Sequence, residues 1–592
     1  MIVAMKKVSV IVQSKDAQSA INRLRSLGVL HVEHQQAPKG DDISRAQEGI
    51  ALFERALNIL SEPEFTEKIA SLSNETSGDC KAAARHIVDL RKRLEQLKEF
   101  SISLKNGINQ WESWGDFNPD TIKELGEKGI YVRLYRIPAK EISGLPSAVI
   151  AKKFFTAAGI ANCAVISQEK ISIPYKEIEL PKMGLEKMRA RLSDDLKTMH
   201  SIGEEIRRHQ KYRRVFLDAK SNLDKETEFY KALGGMGASQ NLMYVAGYVP
   251  YDAAEKLLGA SKQEKWGIVL NDPAEDDNVP TLIRNPRWVS IIRPVFKIIE
   301  IIPGYREFDI SLLFLIFLSV FFGMLIGDAG YGLIYFFLTF LAQRKWAKRV
   351  GAKSPFILLY LLSSCAIVWG AFSGTFFGQG WLIKAGVRPI FPALTDDKNV
   401  RSLCFFIGAL HLSIAHIWRI IIQFPSLVFL TDVGWILILW CAFFLAKSLI
   451  LGAALPWFLA YMLVPGMALV VLFSNPRRNI ARGVGAGLGT LALNLMNNFT
   501  DVVSYIRLFA VGLAGVALAD AFNTMASGIG IGGILGAVIR SLILIAGHSL
   551  NIMLGPMSVL VHGIRLNVLE FCTHLDVKWS GFAYKPLGEQ SA

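Results

Sequence analysis

Charge divides this chain in two: residues 1–309 carry 88 Lys, Arg, Asp and Glu side chains, whereas residues 310–592 carry only 28. One soluble globule is excluded by that contrast, which predicts a charged, water-facing half joined to a membrane half. The formal net charge of +14 is not a nucleic-acid footprint. The surplus lies mostly in the second half, where basic residues cluster between apolar runs as in loops obeying the positive-inside rule. The six cysteines (Cys80, Cys163, Cys365, Cys404, Cys441, Cys572) lie far apart without a CxxC or Cys/His cluster, so neither a disulfide framework nor a zinc site is expected. The opening MIVAMKKVSVIVQSKD has no apolar core of signal-peptide length, which predicts a cytoplasmic first half.

Within residues 1–309 the alternation of Lys7–Val12 predicts a strand, Ala17–Leu27 a helix ended by Gly28, and Val29–Glu33 a second strand. The pattern returns at Leu242–Tyr248, Tyr251–Leu258 and Trp266–Leu270. Two βαβ units so far apart can form one proximal α/β lobe, about 5–34 plus 241–275. Between them, helical stretches of mixed charge around a narrow apolar seam, about 41–112 and 176–233, have coiled-coil composition. A continuous helix over the last 55-odd residues would span roughly 80 Å at about 1.5 Å per residue. A distal β-containing lobe fits about 129–174. The expected fold is therefore α+β: two small lobes joined by an antiparallel coiled-coil stalk, followed by an all-α polytopic membrane domain. No GxxxxGK[ST] occurs, so a Walker-type nucleotide site is not expected and the chain reads as non-catalytic, without a cofactor. His31, Glu33 and His34 read as a solvated strand end rather than a metal site, because on a strand His34 leaves the face that His31 and Glu33 share.

Residues 310–592 contain eight apolar runs, approximately 310–325, 329–343, 355–380, 400–422, 428–447, 449–474, 484–524 and 529–572. An even count returns the C-terminus to the N-terminal side. Arg344, Lys345, Lys348, Arg349 and Lys353, then Arg477, Arg478 and Arg482, mark that side as cytoplasmic. The loop with Lys384, Arg388, Lys398 and Arg401, partly offset by Asp396 and Asp397, is the exception. The last two runs are about twice the length a bilayer needs, so they tilt or project. Each contains an arginine, Arg507 or Arg565, and an intramembrane Arg costs roughly 3 kcal/mol or more. At helical spacing Asn494, Asn497, Asn498, Asp501 and Tyr505 share one face, while Arg507 lies with Ser504, Ala510, Ala514 and Gly515, away from Asp501. In the final run His548, Asn551, Gly555, Ser558, His562 and Arg565 recur every three or four residues. Such a stripe belongs against protein or water; dry helix–helix contact through small and hydroxyl residues is the competing reading. Glu570 fits a snorkelling surface acid and a proton-path carboxylate equally. Asp328 fits turn capping or function, His411 and His416 read as structural hydrogen-bonders, Asp432 and Asp520 as interfacial, and the Gly528–Gly533 run as a turn.

At these residues the chain resembles the a-type subunit, subunit I, of the V/A-type rotary ATPases. The resemblance runs over essentially the whole chain and is carried by SYIRLFAVGLAGVALA at Ser504–Ala519, GHSLNIMLGPMSVLVHGIRLNVLEF at Gly547–Phe571 and FFGMLIGDAGYG at Phe321–Gly332. LGVLHVEH, AGYVP at Ala246–Pro250 and Asn285-Pro286 match more weakly. The resemblance implies a stator subunit in which Arg507 and Arg565 serve ion translocation, with Arg507 facing the carboxylates of a rotating proteolipid ring. Its implied partners are that ring, peripheral-stalk subunits, the central stalk and ATPase head, and membrane lipid. Its half-channels would be lined from Asn494, Asn497, Asn498, Asp501, Ser504, Tyr505, His548, Asn551, Ser558, His562 and Glu570. Eukaryotic relatives carry a His where this chain has Gly515 and a Glu where it has Gly555, which points to the prokaryotic branch. Two other classes stay open: a secondary transporter with Arg507 as substrate counter-charge, and a membrane-anchored scaffold that moves no ion. The sequence does not distinguish H+ from Na+.

Overall fold

The computed structural model describes residues 1–66, 79–146, 148–157, 159–171, 173–378, 389–474, 480–530 and 532–588. Lys384, Arg388, Arg477 and Arg478, used above for orientation, lie outside the described residues, as do the side chains of Lys348, Arg349 and Arg482. The chain forms two compact units: Met1–Ser9, Val29–His31 and Gly247–Pro586, and Val10–Gly28, Val32–Ala246 and Leu587–Ala592.

The strands β1 (Met5–Gln13), β2 (His31–Glu33), β8 (Leu242–Pro250) and β9 (Gly267–Asn271) form one sheet in the order β2-β8-β1-β9, and β7 (Gly237–Ser239) pairs with β8. A left-handed Gly28 closes α1 (Ala17–Leu27), its N–H bonded to Leu24 O. In the second unit α2 (Asp41–Ser61) packs on α6 (Arg213–Gly234), and α3 (Cys80–Trp111) on α5 (Leu185–Arg208). Phe53, Phe65, Ile87, Ile206 and Phe216 are buried between them, each worth about 1.5–3 kcal/mol of apolar burial. After α4 (Pro119–Glu127), β3 (Tyr131–Pro138), β4 (Val149–Ala157), β5 (Ile160–Ser167) and β6 (Glu177–Ile178) make an antiparallel sheet in the order β4-β5-β3-β6. The sequence reading needs two corrections here. The distal sheet takes a strand from beyond residue 174, and the expected continuous helix over 176–233 begins only at Leu185 and breaks at the 3-10 turn His209–Tyr212. Buried Gln210 explains the break: its amide donates to Leu60 O at the end of α2 and to Phe65 O (3.1 Å) in the segment that follows.

In the first unit α7 (Ala254–Glu264) and α8 (Arg293–Ile299) precede the apolar helices α9 (Ser311–Ile326), α10 (Ala329–Val350), α11 (Ser354–Ser373), α12 (Asp397–Gln423), α13 (Phe429–Leu451), α14 (Leu459–Phe473), α15 (Ile480–Ser504), α16 (Ile506–Ser527) and α17 (Gly533–Ser558). Among the described residues five helical runs are long and apolar enough to cross a membrane, the last two being Gly487–Ser527 and Gly533–Leu575; α9 and α14 are shorter apolar helices. Behind α17 the backbone changes repeat, becoming π-helical over Val559–Gly563 and Leu566–Phe571 before α18 (Cys572–Leu575). The chain then returns to residues ahead of α9: Thr281 N–H donates to Phe582 O (2.8 Å) and Tyr584 N–H to Thr281 O (3.0 Å).

Between α9 and α10, Gly327 adopts a left-handed φ of 65°, and Asp328 caps α10 by accepting from Gly330 N (2.7 Å) and Tyr331 N (3.1 Å). Its other oxygen accepts from Gly378 N (2.8 Å), tying the turn to the segment that follows α11. Close by, a Cβ at Gly370 would stand 2.0 Å from Ala329 N and 2.6 Å from Asp328 C. Both are backbone atoms that cannot rotate away. Gly370→Ala should cost about 1–3 kcal/mol, read as a lower melting temperature of the purified protein. Gly259→Ala in α7, where a Cβ meets nothing within 4 Å, should instead gain about 0.5–1 kcal/mol. Equal behaviour of the two variants would refute the close-packing account.

Candidate functional site

Helix α15 ends at Ser504, and Tyr505 forms a turn before α16 begins. The break places Arg507 in the first turn of a new helix, with its Nε donating back to Ser504 O (3.0 Å). Its Nη2 then contacts Glu570 Oε1, and Arg565 Nε stands 3.7 Å from that same oxygen. The π-helical stretch makes this possible, since an i→i+5 repeat brings residues five apart onto one side. Glu570 is therefore not a surface acid: it is 5% exposed, whereas the Arg565 side chain is 56% exposed. One carboxylate shared by two guanidinium groups leaves one positive charge uncompensated within the trio. Beside it Ala510 and Ala514 form an exposed track of small side chains on α16.

Two cavities flank this trio along the same two helical runs. One, of about 140 Å³, is lined by Asn494, Asn497, Asn498 and Asp501 before Arg507 and by Thr573 and His574 after Glu570, together with His416, Arg419 and Trp435. The other, of about 330 Å³, takes Ala510, Val511, Ala514 and Gly515 after Arg507, and Asn551, Gly555 and Ser558 before Arg565, with Tyr331 and Tyr335 among the rest. A Cβ at Gly555 would stand 2.6 Å from the Tyr335 hydroxyl. That hydroxyl, bonded to Ile552 O (2.9 Å), fills the space a larger residue 555 would need.

The remaining candidates divide between these cavities and the dry core. Tyr505 is fully buried and bonds His411 Nδ1 (2.8 Å) rather than reaching a cavity. The His411 ring is stacked between Phe317 (3.7 Å) and Phe571 (4.3 Å). His548 bonds the Tyr331 hydroxyl (2.7 Å) and Asn523 Oδ1 (3.2 Å), and Asn551 donates to Gly515 O (2.8 Å). These are helix–helix bonds in the upper part of the stripe. Among the described residues, buried His562 Nδ1 has no hydrogen-bond partner. Asp520 is exposed. Asp432 is 0% exposed; its Oδ1 shares a hydrogen bond with His416 Nδ1 (2.7 Å) and pairs with Arg419 Nε (3.3 Å). His416 Nε2 meets His574 Nδ1 at 3.0 Å, and His574 Nε2 meets Asp501 Oδ2 at 3.1 Å. Sequence reasoning missed His574 and Arg419. The signal that could have found them is a titratable residue within a turn of each apolar run's end, on the same side as Asp501.

On the adjacent strand-end residues, His31 Nδ1 accepts from Lys585 N (3.0 Å). Partial desolvation, and then the charge of Lys231, push the imidazole of His34 below its usual value. Among the described residues no group of three or more His, Cys, Asp or Glu is placed to hold a metal ion.

A charged α/β half followed by long apolar helices that carry arginines and bury histidines and acids defines a helical membrane protein. The chain is similar to the V-type ATP synthase subunit I of Borreliella burgdorferi, 31% identical over 99% of both chains, and to V-type ATP synthase subunit I 1 of Treponema pallidum, 28% identical over 100% of both. It is also 26% identical to the A-type ATP synthase subunit I of Pyrococcus abyssi over 76% of this chain and 69% of that one. The chain belongs to the subunit I family of the V-type and A-type ATP synthases. No family model matches it. A solved cytoplasmic N-terminal domain of subunit I, described as a homolog of subunit a of V-ATPase, is matched over 45% of this chain and 99% of that one at 16% identity, with a TM-score of 0.23.

Proposed function

We propose that the chain is the non-catalytic stator subunit of a rotary ATPase, that its two cavities are the inner ends of two half-channels, and that Arg507 faces a proteolipid ring between them. The observation that carries this reading is the order along the chain: one cavity lies before Arg507 and after Glu570, the other after Arg507 and before Arg565. A rotary ion motor needs two aqueous routes that do not join, and a fixed charge between them. Arginine suits that place because it does not release its proton in practice and so relays none across. A passing ring carboxylate near the net positive trio is favoured ionised and gives up its ion. The small Ala510/Ala514 track lets another helix approach closely.

The membrane half makes eight crossings in this reading, with α9, α10 and α14 among them. The pairing of Thr281 with Phe582 and Tyr584 supports an even number, because residues ahead of the first crossing and behind the last must then lie on one side. The charged half and the C-terminus are cytoplasmic, and the helices α2, α3, α5 and α6 form a stalk that docks peripheral-stalk subunits.

Thiol labelling tests the two half-channels. Asn497→Cys should react with a membrane-impermeant thiol reagent from the cytoplasmic face, and Ser558→Cys from the opposite face, each above the level of the parent protein. Reaction of both from one face, or of neither, would leave a dry helix contact or a transporter as the better account.

A further inference from the structure

Asp432, His416, His574 and Asp501 form an unbroken hydrogen-bonded chain from α13, α12, α18 and α15, with successive distances of 2.7, 3.0 and 3.1 Å. A neutral imidazole has one N–H donor and one lone-pair acceptor, and an ionised carboxylate only accepts. With both acids ionised, His416 must present Nδ1–H to Asp432, and His574 must present Nε2–H to Asp501. The two inner nitrogens, His416 Nε2 and His574 Nδ1, would then face each other as two lone pairs. Their 3.0 Å separation is that of a hydrogen bond, so a proton lies between them. Changing tautomers does not remove it. If His416 donates through Nε2, its bare Nδ1 faces Asp432 Oδ1 at 2.7 Å, and Asp432 must be the protonated acid. If His574 donates through Nδ1, the same holds for Asp501. Every arrangement carries one proton more than two neutral imidazoles and two carboxylates account for.

That proton also balances the site. Two carboxylates, one extra proton and the Arg419 guanidinium, which reaches Asp432 (3.3 Å) and His574 O (3.2 Å), sum to zero. Without the proton a buried site in which Asp432 has no exposure carries a net negative charge. The other titratable groups nearby are His411, whose Nδ1 meets the Tyr505 hydroxyl, and Glu570, four residues before His574 and engaged by Arg507 and Arg565. His416, His574 and Asp501 all line the 140 Å³ cavity, which gives the site access to water.

We propose that this Asp–His–His–Asp chain is a proton-binding site in the wall of the cytoplasmic half-channel, and that the ion passed there is H+ rather than a metal cation. The inference rests on the stator reading above. Na+ is a hard cation that takes oxygen ligands. The centre of this chain is a nitrogen–nitrogen contact with no room for an ion.

The test uses the whole complex, purified and reconstituted in vesicles. Driven by ATP, the parent complex should acidify the lumen in Na+-free buffer. His416→Gln and His574→Gln keep polar contacts but cannot share the proton, and each should slow acidification roughly tenfold or more with normal subunit content. The pH dependence of pumping should change in both. Parental rates with an unchanged pH profile would overturn the proposal, and so would a parent complex that accumulates radioactive Na+ but not H+. The Na+ result would leave the stator reading intact; that reading fails instead if an Arg507→Ala complex pumps. Should the glutamine variants not assemble, nitrogen NMR of the histidine-labelled parent complex decides. A proton shared between two ring nitrogens, or a protonated acid beside them, is expected; neutral histidines with ionised acids would refute it.

Discussion

Arg507→Ala should abolish ATP-driven ion pumping in a complex that still contains every subunit. Removing one preorganised charge or donor from a low-dielectric site typically costs a factor of about 10²–10³, and here the lost group is the one placed between the two cavities. Without it a ring carboxylate meets no fixed cation on passing from one route to the other, and ions can leak across. Arg507→Lys should fail almost as completely. The arginine spends Nε on Ser504 O and Nη2 on Glu570, and a single ammonium has no planar fork to hold both. Pumping by reconstituted vesicles, with subunit content checked by gel, is the measurement. Near-normal rates in a fully assembled Arg507→Ala complex would remove the basis for placing this residue at the centre.

Glu570→Gln should be the most damaging change to stability in the membrane half. The substitution keeps shape but leaves Arg507 and Arg565 converging on a neutral amide. Removing one partner of a buried ion pair costs about 3–5 kcal/mol, and here two cations lose the acid they share. The variant should melt at a lower temperature or lose subunit content. A second change separates charge from packing: Arg565→Gln added to Glu570→Gln removes one of the two repelling cations. The double variant should be more stable than Glu570→Gln alone, with a coupling of about 0.5–3 kcal/mol. Strict additivity of the two changes would show that the 3.7 Å Arg565–Glu570 approach carries no energy.

Asp501 marks where sequence reasoning reaches its end. Helical phase sets it apart from Arg507, but the structure ends one helix at Ser504 and begins another at Ile506, so the two residues do not share a single repeat. Phase says nothing about His574, 73 residues later, which is the partner Asp501 meets. Glu570 shows the same limit from the other side. Read as an α-helix, a residue five places after Arg565 turns away from it; only the π-helical backbone over Leu566–Phe571 brings it back, and no residue in that stretch announces the change of repeat. The helix expected over 176–233 failed for a related reason. Its breaking residue, Gln210, is an ordinary helix former whose amide is claimed by the carbonyls of Leu60 and Phe65, about 150 residues away in sequence.

What the amino-acid order determined by itself is therefore everything that depends on local periodicity and on solvent preference. It separated the charged α/β half from the apolar helices, found the two long final runs, and singled out Arg507 and Arg565, because an arginine in an apolar run is costly wherever the run is packed. Tertiary structure alone decided which charges pair. Glu570 became the shared acid of two arginines, Asp432 became a buried acid, and four residues scattered from 416 to 574 became one hydrogen-bonded chain. Ion pairs and proton sharing act over a few ångströms between side chains on different helices, and the sequence records positions along a chain, not distances across it.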